Sequence, residues 1–252
     1  MPPIRTVPGS IWRVTLDRPE SRNAISTEML SALASALADA AVDPKARVLL
    51  MDAEGPDFCA GADLEELERA IDGAGGYGGQ LDEVLTAIVE HPLPVVVAAR
   101  GAALGGGCQL VLAADLAVAA ADARIGVPSA SLGVVMGFSS VARLVVAVGE
   151  KLAAEMLLAS RALTGEGAAA AGLVNAAVAE ADLLRRAEEL AGEIARGAPL
   201  SVRASKRGMR LAGAQGDRGE FDMLAAAAFA SEDVKEGLRA FRERRSPEFQ
   251  GR

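Results

Sequence analysis

Residues 104–110 read LGGGCQL, and how this stretch is understood decides the fold. Three consecutive glycines end an apolar run, and a helical pattern follows them. Glycine carries no Cβ, so the triplet marks a place where something approaches the backbone closely. The first polar side chain after it is Gln109, an amide that cannot ionise. A second stretch, FCAGADL at 58–64, shares the design: a buried strand pattern, then small residues, then a helix start. Amide N–H groups at a helix start have no intrahelical acceptor and sit at its partly positive end. Two such loops brought together would aim two donors at one point, which stabilises a carbonyl oxygen as it gains negative charge. Taken singly, each loop is equally explained by tight strand-to-helix packing.

The rest of the chain bounds what such a site could serve. Its 252 residues suit one sizeable domain, or one domain with an appendage. Hydrophobic residues make up 51% but aromatics only 3%, so Ala, Val and Leu must build the core. A formal net charge of −8 argues against a general nucleic-acid surface, while local clusters of Arg and Lys could still meet an anionic ligand. Cys59 and Cys108 lie in apolar, glycine-rich surroundings, which implies free thiols and a reducing, cytoplasmic setting. With His91 as the single histidine, no His/Cys metal cluster can be assembled and no metal is expected. MPPIRTVPGS at 1–10 has no apolar signal core. The apolar region 94–121 is broken by Arg100, Gln109, Asp115 and the glycines, so no membrane span is expected.

Periodicity supplies the coarse architecture. A strand is predicted in SIWRVTLDRP, followed by a turn and an amphipathic helix capped by Ser26, with Met29, Leu30, Leu33 and Leu37 on one face and Pro44 as the stop. ARVLLMDA and LPVVVAARG read as buried strands, and LAVAAADARIGV as strand, turn and short strand. Asp63 suits a helix N-terminus. The run IDGAGGYGGQ at 71–80 reads as mobile or tightly turned, and LDEVLTAIVEHP as a helix. Residues 139–160 cover one or two helices, and everything from Ala181 onward is helical in pattern. The expectation is an α/β core with a helical tail whose Phe221, Leu224, Phe229 and Phe241 need a surface to cover, such as a neighbouring subunit.

Taken in chain order, LDRPESRNAIS, FCAGADLEEL, the 94–128 segment containing LGGGC, LGVVMGFSSVARLVVAVG, LTGEGAAAAGLVNAAV and SEDVKEGLRAFRERRSPEFQGR resemble the crotonase, or enoyl-CoA hydratase/isomerase, superfamily over nearly the whole chain. The resemblance implies an α/β fold with a spiral of ββα turns over 1–195. It implies a C-terminal helical region over 196–252 that mediates assembly into homotrimers or hexamers. It implies an acyl-CoA thioester as substrate or ligand, with no other cofactor. On the matching positions, the thioester oxygen would sit between the amides of Ala62 and Gly106. Arg22 would lie near the CoA phosphates. Cys59, Ala60, Gly61, Ala62, Asp63 and Leu64 would line the path of adenine and pantetheine, and Phe241 and Arg244 would complete the nucleotide site, in this or a neighbouring subunit.

The pattern breaks at the acids. Family hydratases keep one glutamate directly after GGGC, where this chain has Gln109, and another after the proline of a G-x-P turn, where it has Ser129. Other branches place an aspartate eight residues further on, where this chain has Gly137. A positioned acid or base contributes roughly 10²- to 10⁴-fold, so standard hydration is expected to be weak or absent. Three readings remain open: slow hydratase or isomerase chemistry with an unorthodox acid, decarboxylation of a malonyl-type thioester, and a non-catalytic acyl-CoA carrier or sensor. Asp82 and Glu83 read as a solvated helix face, although in some relatives this helix edges the acyl pocket. Tyr77 reads as a loop aromatic and His91 as a structural residue.

Overall fold

The computed structural model describes residues 2–69, 77–213 and 216–252. Strands β1 (Ile4–Val7), β2 (Ile11–Leu16) and β3 (Val48–Ala53) enclose helix α1 (Thr27–Val42). They are followed by α2 (Leu64–Arg69), α3 (Tyr77–Glu90), β4 (Val95–Ala99), β5 (Ala102–Leu104) and α4 (Gly106–Ala113). Next come β6 (Leu116–Ala120), β7 (Arg124–Gly126), α5 (Ser129–Leu132), α6 (Phe138–Leu158), β8 (Ala162–Thr164), α7 (Gly165–Ala170) and β9 (Ala176–Val178). Helices α8 (Glu180–Ala195), α9 (Pro199–Gly213), α10 (Arg218–Phe229) and α11 (Glu232–Glu243) complete the chain.

The larger sheet runs in the order β1-β2-β3-β4-β6-β9, antiparallel between β1 and β2 and parallel thereafter. β3 and β4 are buried along their whole length, as central parallel strands covered on both faces must be. Helix α8 packs across β3, β4 and β6. The smaller sheet, β5-β7-β8, stands where the chain leaves the main sheet towards α4 and α5. Helix α1 begins where the sequence places it, with the Ser26 hydroxyl accepting the Met29 amide at 3.2 Å, and ends at Val42, two residues before Pro44. Residues 139–160 form one helical stretch with a break at Gly149, whose φ of 78° and ψ of 159° are not helical.

Two expectations change. Part of the glycine-rich run, 71–76, lies outside the described residues, but the loop expected at Tyr77–Gln80 is the first turn of α3. Two short strands, β5 and β8, had no periodicity to announce them, since three residues are too few to show alternation.

The helical tail is bolted to the core by ions. Lys206 of α9 is buried and its Nζ lies 2.8 Å from an Asp115 carboxylate oxygen, while Arg210 Nη2 donates to the other oxygen at 2.9 Å. The amide of Val95 donates to the same carboxylate at 2.8 Å, which ties α9 to the start of β4. Lys206 also donates to the carbonyls of Leu93 and Ile88. Burial pushes its pKa down, and Asp115 opposes that push. Beyond this anchor, Phe229 and Phe241 remain exposed on α10 and α11.

Removing one partner of a buried ion pair leaves an uncompensated charge, at a cost of about 3 kcal/mol or more. Asp115→Asn is therefore expected to lower Tm by roughly 6–12 °C for a domain of this size. Thermal unfolding followed by circular dichroism checks this, and an unchanged Tm contradicts the anchoring role.

Candidate active site

The two glycine loops meet as the sequence suggests. They run side by side as a short parallel ladder, in which the Cys59 amide donates to the Ala102 carbonyl at 2.8 Å and the Leu104 amide donates to the Cys59 carbonyl at 2.9 Å. Gly105 has a φ of +53°, open to glycine and strained for other residues. At Gly107 the requirement is space, because a Cβ there would stand 2.4 Å from the Cys59 carbonyl oxygen and 2.9 Å from the Cys59 Cβ. The triplet thus serves the seating of one loop on the other.

On the far side of the first loop, Ile25 donates to the Gly61 carbonyl at 2.8 Å and accepts from the Asp63 amide at 2.9 Å. Ala62 lies between these two bonds, and its own amide takes no part in them. Gly106 is the first residue of α4, so its amide has no intrahelical acceptor. Among the described residues neither amide donates to a protein acceptor.

Both residues line one cavity of about 830 Å³, together with Gln109, Ser129 and Gly137. Gln109, Ser129 and Gly137, the positions at which the resemblance implies acids, thus line one cavity, and all three are neutral. Gln109 is buried on α4 and Ser129 opens α5. Among the described residues neither side chain has a hydrogen-bond partner, which leaves both polar groups to whatever fills the cavity. Met136, Val127 and Leu81 supply apolar wall.

Arg22, Ala60, Gly61, Asp63 and Leu64 also line the cavity. Arg22 sits in a left-handed turn with its side chain largely exposed, and its Nε donates to Asp57 at 2.6 Å. That hydrogen bond raises the pKa of Arg22 and lowers that of Asp57. The other Asp57 oxygen accepts the Ala102 amide at 2.7 Å, so one carboxylate ties the Arg22 turn to the strand leading into the glycines. Asn23, fully buried, accepts from the Arg18 amide and donates to the carbonyls of Glu54 and Asp57. Asp63 caps α2 as expected, accepting the Glu66 amide at 3.4 Å, and pairs with Arg18 at 3.3 Å.

One sequence expectation is corrected. Cys59 stands behind the wall instead of lining it: it is fully buried, and burial pushes its thiol up to about 12. Phe241 and Arg244 lie on and just after α11 and do not line this cavity within the chain. Asp82 and Glu83 both lie exposed on α3, as expected, and Asp82 also lines the cavity. Arg18, which the sequence did not single out, also lines it. His91 is structural: its Nδ1 accepts the Leu93 amide and its Nε2 donates to the Leu37 carbonyl, while burial lowers its pKa. Asp82 carries no local signal, because what gives it a place is a residue far along the chain.

The enoyl-CoA hydratase/isomerase family profile matches residues 6–252. The chain is 35% identical over 246 residues to the 2,3-dehydroadipyl-CoA hydratase of Escherichia coli, covering 95% of this chain and 94% of that protein. It is 38% identical over 252 residues to the mouse enoyl-CoA hydratase domain-containing protein 2, mitochondrial, covering 96% of this chain and 85% of the other. The structure of an enoyl-CoA hydratase/carnithine racemase from Magnetospirillum magneticum superposes with a TM-score of 0.93 at 31% identity, over 100% of this chain and 97% of that one. The chain belongs to the enoyl-CoA hydratase/isomerase family and has the crotonase fold.

The seating of the loops gives a paired test. Gly107→Ala forces a methyl group into the Cys59 backbone, and overpacking of this kind costs roughly 1–3 kcal/mol. Gly79→Ala in α3, where a Cβ meets nothing within 4 Å, is expected to be neutral or slightly stabilising. Thermal melts of the two variants should separate in that order.

Proposed function

We propose that this protein binds acyl-CoA thioesters in the 830 Å³ cavity and stabilises a thioester enolate between the Ala62 and Gly106 amides. One observation carries this: two amides on adjoining loops, without a protein acceptor among the described residues, line the same cavity. Donors held in place before the reaction starts need no reorganisation as charge develops, and each can lower the barrier by about 3–4 kcal/mol. Arg22 and Arg18 place positive charge at the cavity and suit the phosphates of CoA. Phe241 and Arg244, which do not line the cavity of their own chain, suit the site of a neighbouring copy, and assembly into a trimer or hexamer would cover the exposed Phe229 and Phe241.

Conventional hydration is the reaction this cavity serves least well. Adding water across an enoyl thioester needs a base for the water and an acid for the α-carbon. Gln109 can orient a water but cannot take its proton, and among the described residues Ser129 has no base beside it. The chemistry that remains needs the amide pair and at most one proton-transferring group.

Turnover of crotonyl-CoA, a 3-enoyl-CoA and methylmalonyl-CoA separates the outcomes. Slow hydration with measurable conversion of another thioester is expected; efficient hydration by the wild type would overturn the assignment. Calorimetry with butyryl-CoA and free CoA tests acyl recognition, and equal affinity for the two would contradict it. Gln109→Glu combined with Ser129→Glu restores carboxylates at two cavity-lining positions and should raise crotonyl-CoA hydration by about a hundredfold or more. A folded, CoA-binding double variant that stays inert would show that the cavity does not hold the thioester in the orientation described.

A further inference from the structure

A second cavity, of about 250 Å³, lies where the end of α3 meets α9 and α10, and it shares no lining residue with the first. One of its walls is a stripe of cations. Arg203, Lys206, Arg207 and Arg210 follow one another on α9 at the spacing that puts side chains on one helix face. Val89 and Pro92, at the end of α3 and just after it, and Leu224 of α10 supply apolar wall.

Three of these cations already hold carboxylates. Lys206 and Arg210 share Asp115, at 2.8 and 2.9 Å. Arg207 binds Glu220 through its Nε at 2.6 Å and also pairs with Glu90. Arg203 is half-buried, and among the described residues its side chain has neither an ion-pair nor a hydrogen-bond partner. Its Nε is buried without an acceptor, and so is that of Arg210 on the same wall. Buried donors are nearly always paired in folded proteins, so two orphans on one cavity wall mark a place that suits an acceptor. His91 brings no charge: the Leu93 amide and the Leu37 carbonyl use its ring nitrogens, and burial lowers its pKa. The surplus of positive charge reaches α6, where burial and then Arg210 hold Arg143 below the usual arginine range.

We infer that this second cavity binds a small monocarboxylate with an aliphatic tail, its carboxylate on Arg203 and its tail against Val89, Pro92 and Leu224. A guanidinium fork matches a carboxylate with two parallel N–H···O bonds. One uncommitted guanidinium answers one negative charge, which favours a monoanion over inorganic phosphate. The apolar walls favour an acid whose tail leaves water on binding. The volume lies below the roughly 300–1,000 Å³ of pockets that hold drug-sized molecules, so the ligand is a short- or medium-chain acid and not a CoA ester. Bound there, it touches α3, α9 and α10 at once and ties the helical tail to the core.

Calorimetry and thermal melts with octanoate test this. The wild type should bind octanoate and melt at a higher temperature in its presence, because a ligand of the folded state stabilises it. Octanol keeps the tail without the charge, and inorganic phosphate keeps the charge without the tail. Each should bind at least about tenfold more weakly than octanoate. Arg203→Gln should lower octanoate affinity by about tenfold or more, and Arg203→Lys should recover part of the loss. Leu224→Trp, which fills the cavity from α10, should abolish binding with Arg203 still present. Arg218→Gln removes a charge outside the cavity, at the start of α10, and should change neither readout. No octanoate binding by the wild type, octanol or phosphate binding as tight as octanoate, or an unchanged affinity in Arg203→Gln overturns the inference. So does displacement of octanoate by butyryl-CoA, which would place the acid in the larger cavity. If Arg203→Gln does not fold, Leu224→Trp decides by the same readouts.

Discussion

The site depends on a backbone approach that no side chain could tolerate. The Cys59 carbonyl lies where a Cβ at position 107 would have to be. That approach lets the loop after β3 form a ladder with the one after β4, and the ladder fixes where α4 starts. Once α4 starts at Gly106, its first amide is left without an acceptor by helix geometry alone. The amide of Ala62 is left over for a different reason: the bonds to Ile25 use its two neighbours and pass it by. Two unrelated accidents of hydrogen bonding become one paired site because a single close packing brings them to the same cavity.

Charge around the cavity is arranged to hold shape more than to do chemistry. Asp57 clamps the Arg22 turn to Ala102, Asn23 is spent on backbone groups, and Asp63 is divided between a helix cap and Arg18. The two thiols are buried and pushed up to about 12, so neither is a nucleophile at neutral pH. His91 is neutral and holds two backbone segments together. With these groups committed, the cavity keeps neutral Gln109 and Ser129 and the exposed carboxylates of Glu65 and Asp82. The same economy shows at the tail, where one buried carboxylate, Asp115, binds a lysine, an arginine and a strand amide at once.

Much of this was legible in one dimension. Ser26 and Asp63 cap the helices that their residue types announce, and β3 and β4 are the uninterrupted apolar runs expected of buried parallel strands. The pair of glycine loops could be read as a backbone site because both lead small residues into a helix start, where amides lack intrahelical acceptors. The start of α3 was misread, since Tyr77–Gln80 contains two glycines and local composition favours a turn there. Burial of Leu81, Val84, Leu85 and Ile88 holds the helix in place, and that tertiary gain outweighs a weak propensity. Cys59 and Phe241 could not be placed relative to the cavity from sequence, because which side of a wall a residue occupies depends on what packs behind it.

The sequence by itself determined the family, the small residues of the two loops, and the neutrality of positions 109, 129 and 137. These follow from which atoms each residue has or lacks, and no folding changes that. Only the tertiary structure decided that a carboxylate from another helix lies against one of these neutral positions. A carboxylate on α3 and a bare backbone at the start of α6 are separately unremarkable. They become one feature when packing sets Oδ1 of Asp82 2.7 Å from the point where Gly137 would carry a side chain. Complementarity between a group and an absence is a property of distance, and the chain order of the two residues does not contain it.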